Sequence, residues 1–530
     1  MQQSFITVTA HIIDGDCKLE AYVLDTAEIK VRHTSENLLA HLHNVLEEYD
    51  IQVGDNHRIT LNYNATNNKD IHEEDIECED EFNYLNVTET DIAEVTINED
   101  SQSQITQDLK FQLADLLQDE SSQHSVNSTH SSNSDLRWPN VTFTSNNASD
   151  ISKAIVKIGQ FVWFGCAGHH LNLIAQAGFK QVHAAAALVK KCKRIVEHIK
   201  SSVPASYMLL KYQEEMELPL HRVLQENNTR WWSILLMMES IMNNLAAIIV
   251  VLGTNGKTHL ILDSAEQTSI NLIIRLLTPF KVCGEKLSSE NNVTISLIVP
   301  LFEKLKRHLA VNPLDCRMIT DMKTNMLAKL KTRYSSDQMK ILKTCTLLDI
   351  RNKCTPYVAN HYAQLEKDVT DILKGNQEEV ETQEVIPATE GQELENLSSF
   401  DINASAANQS IFDYEDDVFV GDTPLIESES IKVEIRLYKS LTMSKPLKEK
   451  CNVLEWWKNH QSKFPYLFQA AQACLHIPAT SVPAERIFSL AGYVVRSRRS
   501  KILPINVNKS IFLKKNAKHV PAKTSIWASS

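Results

Sequence analysis

The chain has 530 residues, 43% of them apolar, with 54 Lys plus Arg against 66 Asp plus Glu and a net charge of −12. At roughly 100–200 residues per domain this length holds two to four domains with real cores, and 13 Gly and 15 Pro exclude collagen-like and Pro/Gly-rich chains. The ten Cys form no CxxC pair and no CxxC…HxxxH spacing, which argues against a zinc finger or a redox dithiol, and a disulfide framework is not expected in a chain this long that shows no secretory signal.

Residues Met1 to Ser4 begin neither a basic leader nor a long apolar one, and the longest apolar run, around Leu245–Leu252, is too short to cross a bilayer. The sequence therefore reads as soluble and intracellular, with no membrane partner. Ile6, Val8, Ala10 and Ile12 alternate with Phe5, Thr7, Thr9 and His11, Asp14-Gly15-Asp16 supplies a turn, and Leu19, Ala21 and Val23 alternate on the return. Thr34 is placed to cap a helix from Ser35 to about Tyr49, with Leu38, Leu39, Leu42, Val45 and Leu46 at helical spacing. Val141-Thr142-Phe143-Thr144 predicts a third strand, followed by a helix over Ile151–Ile158. From about Leu171 to Lys374 the pattern is helical almost throughout, as in Val182–Ile199, Ile234–Leu252, Ile270–Leu277 and Met318–Tyr334. Helices return over Leu454–His460, over Tyr466–Leu475 and after Pro483.

The charge is unevenly placed. Residues 71–137 hold 17 acidic and 2 basic residues, and residues 376–430 hold 15 acidic and no basic ones. Setting both segments aside leaves +18 on the other 408 residues, and 431–530 alone carries +14. Both acidic segments have too little apolar surface to offset the entropy of ordering and read as disordered. The remainder is basic, as nucleic-acid binding requires and as solubility alone also allows.

Near the C-terminus the string Leu454-Glu455-Trp456-Trp457-Lys458 is followed by Phe464-Pro465-Tyr466-Leu467. Then come Ile477-Pro478-Ala479-Thr480-Ser481-Val482-Pro483-Ala484-Glu485-Arg486-Ile487-Phe488-Ser489, Ala491-Gly492, Arg499, Leu503-Pro504 and Asn506-Val507. This string resembles the C-terminal dimerisation region of hAT-superfamily transposases and their domesticated BED-zinc-finger relatives. Further marks follow the family's order: His33-Thr34 with Asn37, Cys166-x-x-His169 before Leu171-Asn172-Leu173, Thr229-Arg230-Trp231, and Leu348-Asp349-x-Arg351-x-Lys353.

The resemblance implies an α/β plus α chain: a partial RNase H-like core interrupted by a large all-helical insertion, with a helical C-terminal dimerisation region. On this reading 1–70 and 138–180 form the core, 71–137 is an acidic insertion and 181–375 the helical insertion domain. An acidic linker follows at 376–430, then the dimerisation region at 431–516 and a tail at 517–530. The family's strand-transfer site holds two divalent metals on three carboxylates, a donor set that suits Mg²⁺. Only one carboxylate is found, Glu485. Asn146 stands where the second Asp belongs, and an alternative alignment onto Leu61–Ala65 puts Tyr63 there instead. The first Asp and the first core strand lie before Ser4 in the family's pattern, and no BED finger precedes them. The sheet is then expected to have an exposed edge unless something covers it, the Mg²⁺ site to be lost and the chain to be no enzyme, needing no cofactor.

Single residues carry two readings each. Cys166 and His169 are a structural signature of the core or half of a metal site. Arg230 and Trp231 stack on an extruded base, as the family's pair does, or serve as helix cap and core aromatic. Glu485 is a remnant of catalysis or a carboxylate at a helix N-terminus. Arg496, Arg498, Arg499 and Lys501 form a nuclear address, a phosphate-contacting patch or plain solvated surface. Trp456, Trp457, Phe464, Tyr466, Leu467, Ile487 and Phe488 are assigned to a homodimer interface, against packing within one chain. The favoured function is a nuclear, dimerising, hAT-derived protein with weak non-catalytic nucleic-acid binding. The alternatives are an active transposase or nuclease, and a transcriptional regulator acting through the acidic segments.

Overall fold

The computed structural model describes residues 5–28, 34–49, 51, 59–66, 141–158, 162–220, 223–224, 232–374, 424–487 and 504–516. Segment 71–137 and residues 376–423 lie outside the described residues, as does the tail from 517. What is described is mostly helical, with one small mixed sheet.

The sheet has five strands in the order β2-β1-β3-β4-β5: β1 (Phe5–Ile13), β2 (Leu19–Glu28), β3 (Ile59–Thr66), β4 (Val141–Ser145) and β5 (Val162–Gly165). The β1–β2 hairpin forms where it is expected, and Ile6, Val8, Ala10 and Ile12 are buried, with Thr7, Thr9 and His11 buried on the other face. The return strand changes phase. Val8 pairs with Asp25 but Thr9 with Val23, so Leu24 is the extra residue of a β-bulge. Ala21 is exposed as a result, while Tyr22 and Leu24 face the core.

Strand β3, which the sequence reading did not anticipate, lies in the middle, antiparallel to β1 and parallel to β4, so the described sheet is continuous. The β2 edge is covered as well. Helix α18 (Pro504–Asn516) runs along it, and the Asn516 amide accepts from the Val23 N–H at 3.0 Å and donates to the Val23 carbonyl at 2.8 Å. Asn508 accepts from the Thr26 N–H and donates to the Asp25 carboxylate. Two amide side chains thus occupy edge groups that would otherwise offer a template to another strand.

Helices α1 (Ser35–Glu48, capped by Thr34) and α2 (Ser149–Ile158) pack together over the sheet, joined by the Lys157–Glu36 ion pair at 2.6 Å. Beyond β5 the chain is helical: α3 (Ala167–Phe179), α4 (His183–Ser201), α5 (Val203–Glu215), α6 (Ser233–Asn243), α7 (Leu245–Thr254) and α8 (Ser264–Leu287). The block continues through α9 (Ile298–His308), α10 (Arg317–Lys331), α11 (Ser336–Leu347) and α12 (Tyr362–Lys374). The run Ile234–Leu252, which reads as one helix in sequence, is two, bent by 78° at Asn244. The Asn244 side chain donates back to the Ser240 carbonyl and accepts from the Gln213 amide, a buried polar pair that interrupts the helix. Among the described residues no single helix is long and apolar enough to cross a membrane.

The C-terminal helices are α13 (Pro424–Ser440), α14 (Lys445–Lys450), α15 (Val453–Lys458), α16 (Pro465–Leu475), α17 (482–487) and α18. Helix α13 begins inside the segment read as an acidic linker. Ile431, Trp457, Phe464 and Leu467 share one continuous hydrophobic core with α3 through α12.

His11 lies on β1, buried, with its Nε2 3.0 Å from the Thr9 hydroxyl, and burial pushes its pKa down to about 4. The folded chain keeps it neutral, whereas the unfolded chain takes up a proton near pH 6.5. Stability therefore falls as pH drops from 6.5 towards 4, by about 2 kcal/mol between pH 7 and pH 5 from this residue. Thermal melts at the two pH values should show a drop in midpoint that shrinks in His11→Gln.

Candidate functional site

Strands β4 and β5 run parallel and end side by side, and the Cys166 N–H donates to the Ser145 carbonyl at 2.8 Å. Helix α3 starts at the next residue, so Cys166 and His169 share its first turn. Across this corner lies the Ile477–Ser481 loop. The Ala167 N–H donates to the Ala479 carbonyl, the Thr144 hydroxyl to the Pro478 carbonyl, and the Ala479 N–H to the Thr294 hydroxyl, each within 3.0 Å. The Ser481 N–H then donates to the Cys166 sulfur at 3.2 Å. Arg486 fixes the helix that follows, reaching Glu290 at 2.5 Å and the Ser288 carbonyl at 3.3 Å.

This threading carries Glu485 to the corner. Its Oε1 is 3.7 Å from His169 Nδ1 and accepts from the Ser481 hydroxyl at 2.6 Å. One ligand atom each from Cys166, His169 and Glu485 lies within 4.8 Å of the others. Cys166 is buried; the other two side chains are 29% exposed. Burial works against a charged His169, yet the Cys166 sulfur and the Glu485 carboxylate hold its pKa up at about 9. The sequence signalled the first two members by their spacing. It also singled out Glu485, 316 residues beyond His169, but as a lone remnant of catalysis and not as a neighbour of these two.

Asn146 follows β4 directly, and its side-chain oxygen accepts from the Ala148 N–H at 3.3 Å, a turn leading into α2. Tyr63, the alternative candidate, pairs with Ser145 across β3 and β4.

The Leu348–Lys353 motif is a second buried polar centre. Asp349 is fully buried and accepts from the Ser296 hydroxyl at 2.7 Å, from Arg351 through N, Nε and Nη2 at 2.8–3.0 Å, and from the Asn352 amide. Lys353, also buried, donates to the Tyr438 and Lys439 carbonyls at 2.6 and 3.1 Å, and burial lowers its pKa. Those carbonyls end α13, where the helix dipole favours a cation. The flanking carbonyls of Leu347 and Leu348 take the Tyr438 hydroxyl and the Trp457 indole N–H. One turn therefore holds the helical block to the C-terminal helices.

Of the residues assigned to a dimer interface, those described lie against the chain's own core. Trp457, Phe464, Leu467 and Ile487 are buried within a single chain, and Trp456 and Tyr466 are half-buried against the same core. Trp456, Trp457, Tyr438 and Phe464 form one ring cluster, which satisfies their apolar surface without a partner. Among the described residues, the exposed large apolar side chains of this region are Val433 and Leu437, one turn apart on α13, and Leu447. Trp232 caps α6 and its indole lies against Gly284, where a Cβ would approach it to 2.9 Å. Arg230, Trp231, Phe488, Arg496, Arg498, Arg499 and Lys501 lie outside the described residues.

Asp349→Ala leaves Arg351 and the Ser296 hydroxyl without their buried acceptor. A loss of about 3 kcal/mol is expected by chemical denaturation, with a smaller loss in Asp349→Asn.

Two family models match the chain: the hAT family C-terminal dimerisation region over residues 434–517 and the ZBED1 RNase-like helical domain over residues 164–276. The human zinc finger BED domain-containing protein 4 is 23% identical over 361 residues, covering 66% of this chain and 29% of its own length. The human zinc finger BED domain-containing protein 6 is 22% identical over 398 residues, 71% of this chain and 40% of its own. The Hobo transposase of Drosophila melanogaster is 23% identical over 386 residues, 66% of this chain and 55% of its own. The chain thus spans between about a third and just over half of the length of these relatives. It is related to hAT-type transposases and BED-zinc-finger proteins, and carries their RNase-like helical domain and the hAT C-terminal dimerisation region.

Proposed function

We propose that this chain is a hAT-transposase-derived protein that works by self-association and by weak, non-catalytic binding of nucleic acid in the nucleus. The observation that carries this reading is the composition of the edge where β3, β4 and β5 end. In a mixed sheet of this order, read as an RNase H-like core, that edge is where strand-borne catalytic carboxylates belong. Asn146 and Cys166 follow β4 and β5 there, and Glu485 is the carboxylate that reaches the corner. An amide whose oxygen already accepts from Ala148, a thiol and an imidazole do not make a two-Mg²⁺ site, because such metals require several anionic oxygens. Strand transfer is absent on this account and no Mg²⁺ cofactor is held. Labelled DNA incubated with the chain and Mg²⁺ should remain uncut and unjoined; specific nicking that Glu485→Gln abolishes would restore the transposase reading.

Self-association is supported by the match over 434–517. With the aromatic residues packed inwards, we assign the contact to the exposed Val433–Leu437 face of α13 and to Leu447 beside it. Light scattering should give the mass of two protomers for the chain, and one for Val433→Glu combined with Leu437→Glu. A monomeric parent chain would refute the assignment, and so would a double variant that stays dimeric. The basic balance of 431–530, with Arg496, Arg498, Arg499 and Lys501, supports both phosphate contact and nuclear entry.

A further inference from the structure

We propose that Cys166, His169 and Glu485 form a Zn²⁺ site that fastens the C-terminal region to the end of the β4–β5 sheet. The donor set is one sulfur, one imidazole nitrogen and one carboxylate oxygen, the mixture that selects zinc over the harder Mg²⁺. The spacing suits a tetrahedral ion. Ligand atoms about 2.0–2.3 Å from zinc stand roughly 3.3–3.8 Å from one another. The His169 Nδ1 to Glu485 Oε1 distance is already 3.7 Å, and the set as a whole spans no more than 4.8 Å. Small side-chain rotations close the remainder.

The surroundings are those of a metal site rather than of three residues that merely meet. The Ser481 N–H points at the Cys166 sulfur, as stabilisation of a thiolate requires. The Ser481 hydroxyl holds the Glu485 carboxylate at 2.6 Å and fixes its orientation. The sulfur is buried while the imidazole and carboxylate are partly exposed, which leaves an entry path and a fourth position for water. Zinc here closes a loop between two segments 316 residues apart, so its binding stabilises the arrangement that brings them together.

The inference goes beyond the proposed function and does not depend on it, since it stands whether or not the chain dimerises or binds DNA. The full chain, freed of metal by a chelator and titrated with zinc alone, should bind one equivalent at this corner and melt at a higher temperature. Cobalt(II) in its place should give the intense visible bands of a tetrahedral ion and a sulfur-to-cobalt charge-transfer band. Cys166→Ser should remove the charge-transfer band, whereas Cys354→Ser, at an exposed cysteine, should not. Because Cys166 is buried and its variant can fail to fold, Glu485→Gln decides independently. It should keep the parent's circular dichroism and lose the zinc-induced rise in melting temperature. Ser481→Ala, which removes only the orienting hydroxyl, should weaken zinc by about 10- to 100-fold. No zinc bound by the parent chain, or zinc bound equally well by folded Glu485→Gln, would overturn the proposal.

Discussion

The turn from Leu347 to Lys353 buries an anion and a cation within five residues, and the C-terminal half of the molecule is arranged around them. Asp349 finds its counter-charge in its own turn, through Arg351. Lys353 finds none there and takes the last carbonyls of α13 instead. A buried ammonium without acceptors is so costly that α13 must end where it does. With α13 placed, Tyr438 and Trp457 reach the carbonyls flanking the same turn, and α15 and α16 pack behind them.

From α16 the chain has two further tasks, and both are done by hydrogen bonds to backbone. The Ile477–Ser481 loop is laid between the end of the sheet and Thr294, where the Pro478 and Ala479 carbonyls and the Ala479 and Ser481 N–H groups find partners on one side or the other. Helix α18 then returns to β2 and uses two Asn side chains as substitutes for a neighbouring strand. A region matched as a dimerisation module is therefore tied to its own chain at three places, and its aromatic residues serve that attachment.

Local patterns were legible in the sequence where apolar residues recur at the period of the element. The apolar positions of β1 and of Leu38, Leu42 and Val45 in α1 are buried as expected, although Thr7, Thr9 and His11 on the other face of β1 are buried as well. The failures have equally local causes. Leu24 bulges, and the return strand reverses its faces, because the period of two has no place for an extra residue. Strand β3 was not anticipated although Ile59, Leu61, Tyr63 and Ala65 alternate with Thr60, Asn62, Asn64 and Thr66, because Asn is a poor strand former and masks the pattern. The aromatic residues around Trp457 were read as an interface because composition shows that a side chain must be covered and never by what.

The same division separates the pair Cys166–His169 from Glu485. A spacing of three residues at a helix start is a property of the sequence, since α-helical geometry alone then puts both side chains on one face. The presence of a carboxylate beside them is not such a property. It follows from where Lys353 anchors α13, from the loop pinned by Thr144, Ala167 and Thr294, and from Arg486 holding the last short helix to Glu290. The sequence by itself determined the elements, the basic and acidic segments and the family likeness, because these rest on periodicity, charge and order along the chain. The meeting of Glu485 with a thiol and an imidazole, and the inward packing of the aromatic residues, were decided by tertiary structure. Both depend on long-range burial of polar and apolar groups that no local pattern encodes.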